Sequence, residues 1–468
     1  MTVELEALGA LACSYLERQP WYQETVSAAR AAFGAARSGG ASGPAAGARG
    51  GDGSAIEVEL GEVIRPGRPG LARFVLALGE LRFQLLVGWR PAASAAEALR
   101  GGESALLGPC TDDDGPVLAY DALADDDLVL ALLTYVTGGA ERAERVRRMP
   151  TLASHHSLVF DERLFMKCYR VLERGPRPEV DMVLKLDEAG FNALPAPVAH
   201  WRAGGYDLAL VREFLPGALE GRLLAMTSLR DLLAHAQVAG SAAGEPEAPA
   251  PGSAAAEAEA EADTEVAAAG GDLASEMRRL GATTASLHLA LAQCFGEEPA
   301  GRSSFARALR REGVDPEATL EKAGRLEEGT AGSLVRLHGD YHLRRVMRSE
   351  AGWLVVGFGD DPLYGASDAG SSMGHRRGSP LEDLADMSFS LRSAAREALG
   401  QRSPAEMATA SRLAQAWWRR NSGALVEGYL AVEGAARLLP SDPGARETLL
   451  AAFESARELR YEATPAEA

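Results

Sequence analysis

The sequence predicts an α+β fold, and three observations carry that expectation. Short apolar runs punctuated by Gly and Pro dominate the first half, as in antiparallel strands. The second half carries long segments with apolar residues at helical spacing. Between those helical segments lies an apolar stretch that ends in Arg336-Leu-His-Gly-Asp340-Tyr-His342, a loop rich in groups that hold or move protons.

The elements follow in order. Leu5, Leu8, Leu11 and Leu16 mark a first helix. Residues 36–54 are Gly, Ala and Ser and read as a flexible loop. Ile56–Leu60, Leu71–Leu78 and Leu81–Trp89 read as a three-strand meander, and a first domain ends near Pro91. A second block extends to Pro216. It holds apolar segments at Val117–Tyr120 and Leu128–Val136 around Asp125-Asp126-Asp127. A β-hairpin follows, Ser157–Phe160 with Arg163–Lys167, then a helix over Val180–Ala189 and a strand over Leu208–Leu215. Residues 238–271, mostly Ala, Glu, Gly and Pro, read as a low-complexity linker within a third block, 217–468. Beyond that linker the chain reads as largely helical, over Leu273–Cys294, Glu317–Leu326, Leu381–Leu399, Pro404–Leu439 and Gly444–Leu459, with the Asp340 loop and its hairpin between these helices.

Composition narrows the function. A net charge of −18 argues against nucleic acid or an anionic membrane as partner, while leaving a phosphate ligand open, since that needs only local positive charge. No apolar run approaches the ~20 residues of a membrane span. Cys13, Cys110, Cys168 and Cys294 are widely separated and fit neither a zinc pattern nor a disulfide framework, so a reducing cytoplasm is expected. P-loop, dinucleotide, hydrolase-elbow and zinc-protease signatures are missing from the sequence. The chain has three lysines, Lys167, Lys185 and Lys322, against an abundance of arginine. A lysine kept inside an apolar strand is therefore informative.

The chemistry these residues suggest is phosphoryl transfer. A kinase catalytic loop needs an Asp to accept the proton of the attacking hydroxyl, and a lysine on a strand to hold the α- and β-phosphates of ATP. Asp340 fits the first role, with His342 bracing the loop, and Lys167 fits the second. An acid on the next helix orients such a lysine; Asp181 is the candidate and Glu179 its rival. Ser154-His-His-Ser157 would cover the phosphates with hydroxyl and imidazole groups, and Glu213-Phe214 would form the hinge against adenine. Lys167 and Asp340 should then face one cleft. The metal ligands are another matter. The fifth residue after Asp340, normally one that holds Mg²⁺, is the cation Arg345, which could instead contact phosphate or pair with Asp340 itself where the metal would be. The strand Trp353–Phe358 should end in a metal-binding Asp and carries Gly357. Asp360 and Asp361 follow, ~10–13 Å on in an extended chain, and would need a tight turn to replace it. Weak Mg²⁺ dependence of nucleotide binding is the expectation. Trp417, Trp418, Glu427 and Tyr429, on one late helix, are sugar-binding candidates, since aromatic faces stack on sugar C–H surfaces. A plain helix core is the alternative for Trp417.

With these motifs in place, the chain resembles the actinobacterial maltokinases, within the aminoglycoside-phosphotransferase-like kinases. The matching segments span almost the whole length. They are Val117–Leu123, Ser157–Tyr169, Arg212-Glu-Phe-Leu-Pro216, Leu280–His288, His338–Val346, Trp353–Pro362, Ser379-Pro-Leu-Glu-Asp-Leu-Ala385 with Met387, and Trp417–Tyr429. The resemblance implies a bilobal protein-kinase-like fold with an N-terminal cap of helix and curved sheet. It also implies transfer of phosphate from ATP to maltose, or in a sister group to glucosamine. It adds Asp383, in the Ser-Pro motif, as a substrate-binding candidate. The departures lie in the metal site. The family carries Gln at the position of Arg345, and Asp-Phe-Glu-Gly-Glu-Pro where this chain has Gly357-Phe-Gly-Asp-Asp-Pro362. Its Arg-Ser pair matches Arg392-Ser393 or is replaced by Phe389-Ser390.

Two functions stay open on the sequence. One is an ATP-dependent sugar kinase with an altered metal site. The other is a pseudokinase that binds a nucleotide, a sugar or a protein partner. An aminoglycoside-type phosphotransferase is a weaker third, because the cap and the Ser379-Pro380 motif point to the sugar branch.

Overall fold

The computed structural model describes residues 4–38, 55–99, 102–150, 155–242, 264, 266, 272–359, 377–400 and 407–463. One compact unit holds Met1–Asp181 with Ala196–Pro216, and a second holds Met182–Pro195, Gly217–Asp360 and Met373–Ala468.

The first unit opens with helices α1 (Leu5–Glu17) and α2 (Pro20–Ser38). Strands β1 (Glu57–Arg65), β2 (Gly70–Leu78) and β3 (Leu81–Arg90) form the expected meander, followed by α3 (Ala92–Leu99). Leu8, Ala12, Tyr15 and Leu16 line one face of α1, at helical spacing, and share a core with Phe74, Phe83 and Trp89 of the sheet. Helix and sheet thus bury each other's apolar faces, as the cap reading requires. The domain break expected at residue 91 does not hold, because the sheet continues. β4 (Leu106–Asp112) and β5 (Gly115–Asp121) complete it in the order β1-β2-β3-β5-β4, with Val87 opposite Asp121. The apolar run Val117–Tyr120 belongs to this sheet. The acidic run after it caps helix α4 (Asp126–Val136). The Asp125 carboxylate accepts from the N–H groups of Asp127 and Leu128 and pairs with Arg90.

A second sheet of the same unit contains β6 (Val146–Arg148), β7 (His155–Phe160) and β8 (Leu164–Tyr169). The chain then adds β9 (Val171–Leu172), helix α5 (Pro178–Glu188), β10 (Pro197–Ala203) and β11 (Tyr206–Glu213). The order is β10-β11-β8-β7-β6. β7 and β8 are the predicted hairpin. Asp161 and Glu162 turn it with φ of 50° and 51°, the left-handed pair of a type I′ turn. β9 leaves this sheet to pair with β3 of the first, and the Gln84 side chain donates to the carbonyls of Tyr169 and Leu208, so the two sheets are stitched together.

In the second unit, β12 (Leu219–Glu220) leads into α6 (Gly221–Ala242), then α7 (Ala274–Phe295), β13 (Glu298–Pro299), α8 (Arg302–Arg311) and α9 (Pro316–Lys322). Strands β14 (Ser333–Arg336), β15 (Val346–Ser349), β16 (Gly352–Val355) and β17 (Arg377–Gly378) frame the Asp340 loop. Helices α10 (Pro380–Leu399), α11 (Met407–Leu430) and α12 (Pro443–Ala463) follow. α7 and α11 cross in backbone contact. A Cβ on Gly281 would lie 2.0 Å from the Leu425 carbonyl oxygen, and one on Gly428 would lie 2.0 Å from that of Arg278. The helix expected over Pro404–Leu439 ends at Leu430, ahead of a left-handed Gly434 and a 3-10 turn, Ala435–Leu438. The linker expected at 238–271 lies largely outside the described residues. No described helix is long and apolar enough to cross a membrane.

Candidate functional site

Lys167 sits in the middle of β8, opposite Ser157 of β7 and Leu210 of β11. Its ammonium lies 2.9 Å from the Glu179 carboxylate, with the two side chains only 7% and 1% exposed. The Tyr169 hydroxyl donates to the same carboxylate oxygen at 2.8 Å. Asp181 is therefore corrected as the acid that orients the lysine. Residues two apart on a helix project in nearly opposite directions, so Glu179 and Asp181 cannot both face Lys167. The signal was in the sequence. Glu179 shares its i, i+3, i+4, i+7 face with Met182, Val183 and Leu186, all buried. Burial pushes the Lys167 pKa down while the Glu179 charge draws it back up. On Glu179, burial acts upward, but Lys167 and Arg212 outweigh it and hold the carboxyl low.

The Asp340 loop is held by buried polar groups from two helices. Asp383, at the start of α10, accepts from the His338 N–H at 2.8 Å and the Gly339 N–H at 3.2 Å. Its Oδ2 also meets His288 Nε2 of α7 at 3.0 Å, and His288 Nδ1 meets the Tyr429 hydroxyl at 3.2 Å. Tyr341 bonds Thr284 of α7 at 2.7 Å, and Ser390 accepts from the Leu343 N–H at 3.1 Å. The His338 ring takes the Asp340 N–H on Nδ1 and donates from Nε2 to the Val356 carbonyl. Burial lowers its pKa to about 4, so it is neutral.

Asp340 itself remains 34% exposed. Its Oδ1 lies 3.3 Å from His342 Nε2, while His342 Nδ1 accepts the Arg344 N–H. The Arg345 guanidinium holds Oδ2 from Nε at 2.8 Å and Nη2 at 2.5 Å. Burial works to raise the Asp340 pKa, but the His342 hydrogen bond and the Arg345 charge prevail and hold it at about 2.

Arg345 also settles against Gly357. That glycine has φ of +73°, and a Cβ built on it would fall 2.8 Å from Arg345 Nη1 and 2.9 Å from Cδ. One side chain thus occupies the space that a residue at 357 would use and pairs with the loop carboxylate. Mg²⁺, implied by the resemblance, does not fit the described residues. They offer a cation and a bare backbone position beside a single carboxylate. Among the described residues no group of three or more His, Cys, Asp or Glu is arranged to hold a metal. Asp360 and Asp361 lie outside the described residues.

The sugar-binding candidates are not brought together. Trp417 is 1% exposed, with its indole N–H on Ser228, and Tyr429 is fully buried on His288. Glu427 projects the other way, 63% exposed, and pairs with Arg278. Only Trp418 is part-buried, its indole N–H on Ser388 and Arg392 over its ring. The correction follows from helical spacing. Twelve residues put Trp417 and Tyr429 on the buried stripe with Leu425 and Asn421, whereas Glu427 lies two positions off it. Asp383 is also corrected as a substrate contact. It is fully buried, and both of its oxygens are taken by the loop backbone and His288.

At the expected hinge, the Glu213 N–H bonds the Ala196 carbonyl and the Phe214 N–H bonds that of Arg163, so neither donor is free for a nucleobase. His155, His156 and Ser157 are strand residues of β7 rather than a loop over phosphates, and Ser154 lies outside the described residues. Burial, together with nearby cations, holds His155 and His156 at about 2 and about 3. His288, Thr284 and Tyr341 were not singled out from the sequence as individual residues. A histidine inside the apolar run of α7 was the available signal for His288.

No protein-family profile matches the chain. Its fold does match solved structures. A glucosamine kinase in complex with glucosamine, ADP and inorganic phosphate aligns with 86% of this chain and 88% of that one, at TM-score 0.53 and 19% identity. A second crystal form of glucosamine kinase gives 0.54 at 18% identity over the same shares. An antiparallel-sheet unit followed by a helical unit carrying the Asp340 loop is thus the protein-kinase-like α+β fold, in the version that glucosamine kinase also has.

Proposed function

We propose that this chain is a maltokinase-like, sugar-kinase-type protein that binds ATP through the Lys167–Glu179 pair and transfers its γ-phosphate to a sugar hydroxyl poorly or not at all. Maltose or an amino sugar is the substrate class. The observation that carries this reading is Arg345, which neutralises Asp340 and fills the space at Gly357. A kinase normally neutralises the charge developing between β- and γ-phosphates with a bridging metal. A guanidinium supplies positive charge without that geometry. On the retained side, Lys167 would hold phosphate oxygens and Glu179 would keep its ammonium oriented. Asp340 would accept a hydroxyl proton once released from Arg345, with His342 fixing its carboxylate.

A competent sugar kinase is the second reading, and the intact Asp340–His342 and Lys167–Glu179 arrangements favour it. Asp360 or Asp361 would then supply the missing ligand. The test is ATP binding by calorimetry, with Lys167→Ala as control, followed by phosphotransfer to a panel of maltose, glucose, glucosamine and an aminoglycoside. ATP binding lost in Lys167→Ala, with little transfer to any acceptor, is expected. Absence of ATP binding overturns the reading, and rapid transfer to one sugar selects the second.

A further inference from the structure

We infer that the Asp340 loop receives a phosphoryl anion free of metal, so that Mg²⁺ opposes nucleotide binding to this protein instead of supporting it. The inference rests on the nucleotide-binding reading above and concerns the form of the ligand. Both oxygens of Asp340 are engaged, Oδ1 by the His342 ring and Oδ2 by two nitrogens of Arg345. A divalent ion approaching this carboxylate would meet the guanidinium in contact distance of the same oxygen, with like charge. The position across from it, Gly357, has no side chain with which to compensate, and Arg345 Nη1 and Cδ line that gap.

The same arrangement suits an anion. A guanidinium forks onto two oxygens of a carboxylate or a phosphate, and here it is already aimed at a carboxylate that is part exposed. A phosphoryl group competes with Asp340 for Arg345, and the more negative the group, the better it competes. Complexation with Mg²⁺ cancels part of the nucleotide's charge and occupies the oxygens that Arg345 would grip. The free nucleotide is therefore the better ligand, and binding it releases Asp340.

The test is calorimetry of the full chain with ATP, and separately with tripolyphosphate, in EDTA and in saturating MgCl₂ at matched ionic strength. In the unmodified protein Mg²⁺ should weaken ATP binding by roughly fivefold. Arg345→Gln should weaken tripolyphosphate binding in EDTA and abolish or reverse the Mg²⁺ effect. Arg345→Lys, which keeps the charge, should retain it, and serves if the Gln variant folds poorly. Tighter ATP binding in Mg²⁺ by the unmodified protein overturns the inference while leaving the nucleotide reading intact. Tripolyphosphate binding unchanged by Arg345→Gln overturns it as well. No ATP binding in either buffer sinks the nucleotide reading itself.

Discussion

Arg345 and Gly357 should behave as one unit, and a double-mutant cycle with Arg345→Gln and Gly357→Ala measures it. Asp340 is held at about 2, roughly two units below an ordinary aspartate, which sets a ceiling of ~2.6 kcal/mol of stability at neutral pH. The carboxylate is a third exposed, so solvent screening reduces this to ~1 kcal/mol, and His342 takes part of it. Arg345→Gln should therefore cost ~0.5–1 kcal/mol at pH 7. Its sign is that of a depressed carboxylate. The loss is full above pH ~4 and disappears as pH falls through about 2. Gly357→Ala places a Cβ at a φ of +73°, worth ~1 kcal/mol of strain, and pushes the guanidinium off Asp340 as well. The second part is already lost in Arg345→Gln. The double variant should thus be ~0.5–1 kcal/mol more stable than the sum of the singles. Urea melts at pH 7 read this directly. Coupling below ~0.3 kcal/mol, within the scatter of independent sites, refutes the contact.

Other consequences are equally measurable. Glu179→Ala strands a buried ammonium and the Tyr169 hydroxyl and should cost ~3–5 kcal/mol, while Lys167→Met with Glu179→Leu should recover much of it in urea melts. Asp383→Ala removes the acceptor of two loop N–H groups and of His288, and should cost ~2–5 kcal/mol with faster amide exchange at His338 and Gly339. His338 is neutral in the fold with its pKa lowered to about 4, so the unfolded chain binds the extra proton. Its share of stability should fall by ~2 kcal/mol between pH 7 and pH 5, a loss absent in a His338→Gln variant. Glu427→Ala should leave calorimetric binding of maltose or glucosamine unchanged, since Glu427 stands apart from the buried face that carries Tyr429.

The three-strand meander, the hairpin and the loop around Asp340 were legible because each rests on local pattern. Alternation, turn residues and the His-Gly-Asp spacing need no knowledge of distant chain. The sheet running past residue 91 was not legible, since β5 joins β3 through pairing of residues distant in sequence, from Val87 with Asp121 to Arg90 with Leu118. Helix α6 was missed where its sequence merges with an alanine-rich tract. At the site, the Arg and Gly at the two expected metal-ligand positions could be read directly, and the five-residue spacing allowed Arg345 to reach Asp340, but that the same side chain fills the space at Gly357 is a contact no spacing encodes. The late helix misled for a simpler reason. Trp417 and Tyr429 share the buried helical face of Asn421 and Leu425, and Glu427 lies off it.

The central claim is that Arg345 and Gly357 hold this kinase fold away from efficient phosphoryl transfer. The most direct measurement is single-turnover transfer of the ATP γ-phosphate to sugar at saturating Mg²⁺, in the unmodified protein and in Arg345→Gln with Gly357→Asp. The account predicts a rate several powers of ten below the ~1–100 s⁻¹ of ordinary kinases, raised in the double variant more than in either single one. An unmodified protein that turns over within the ordinary range, or a double variant that is no faster, would contradict it.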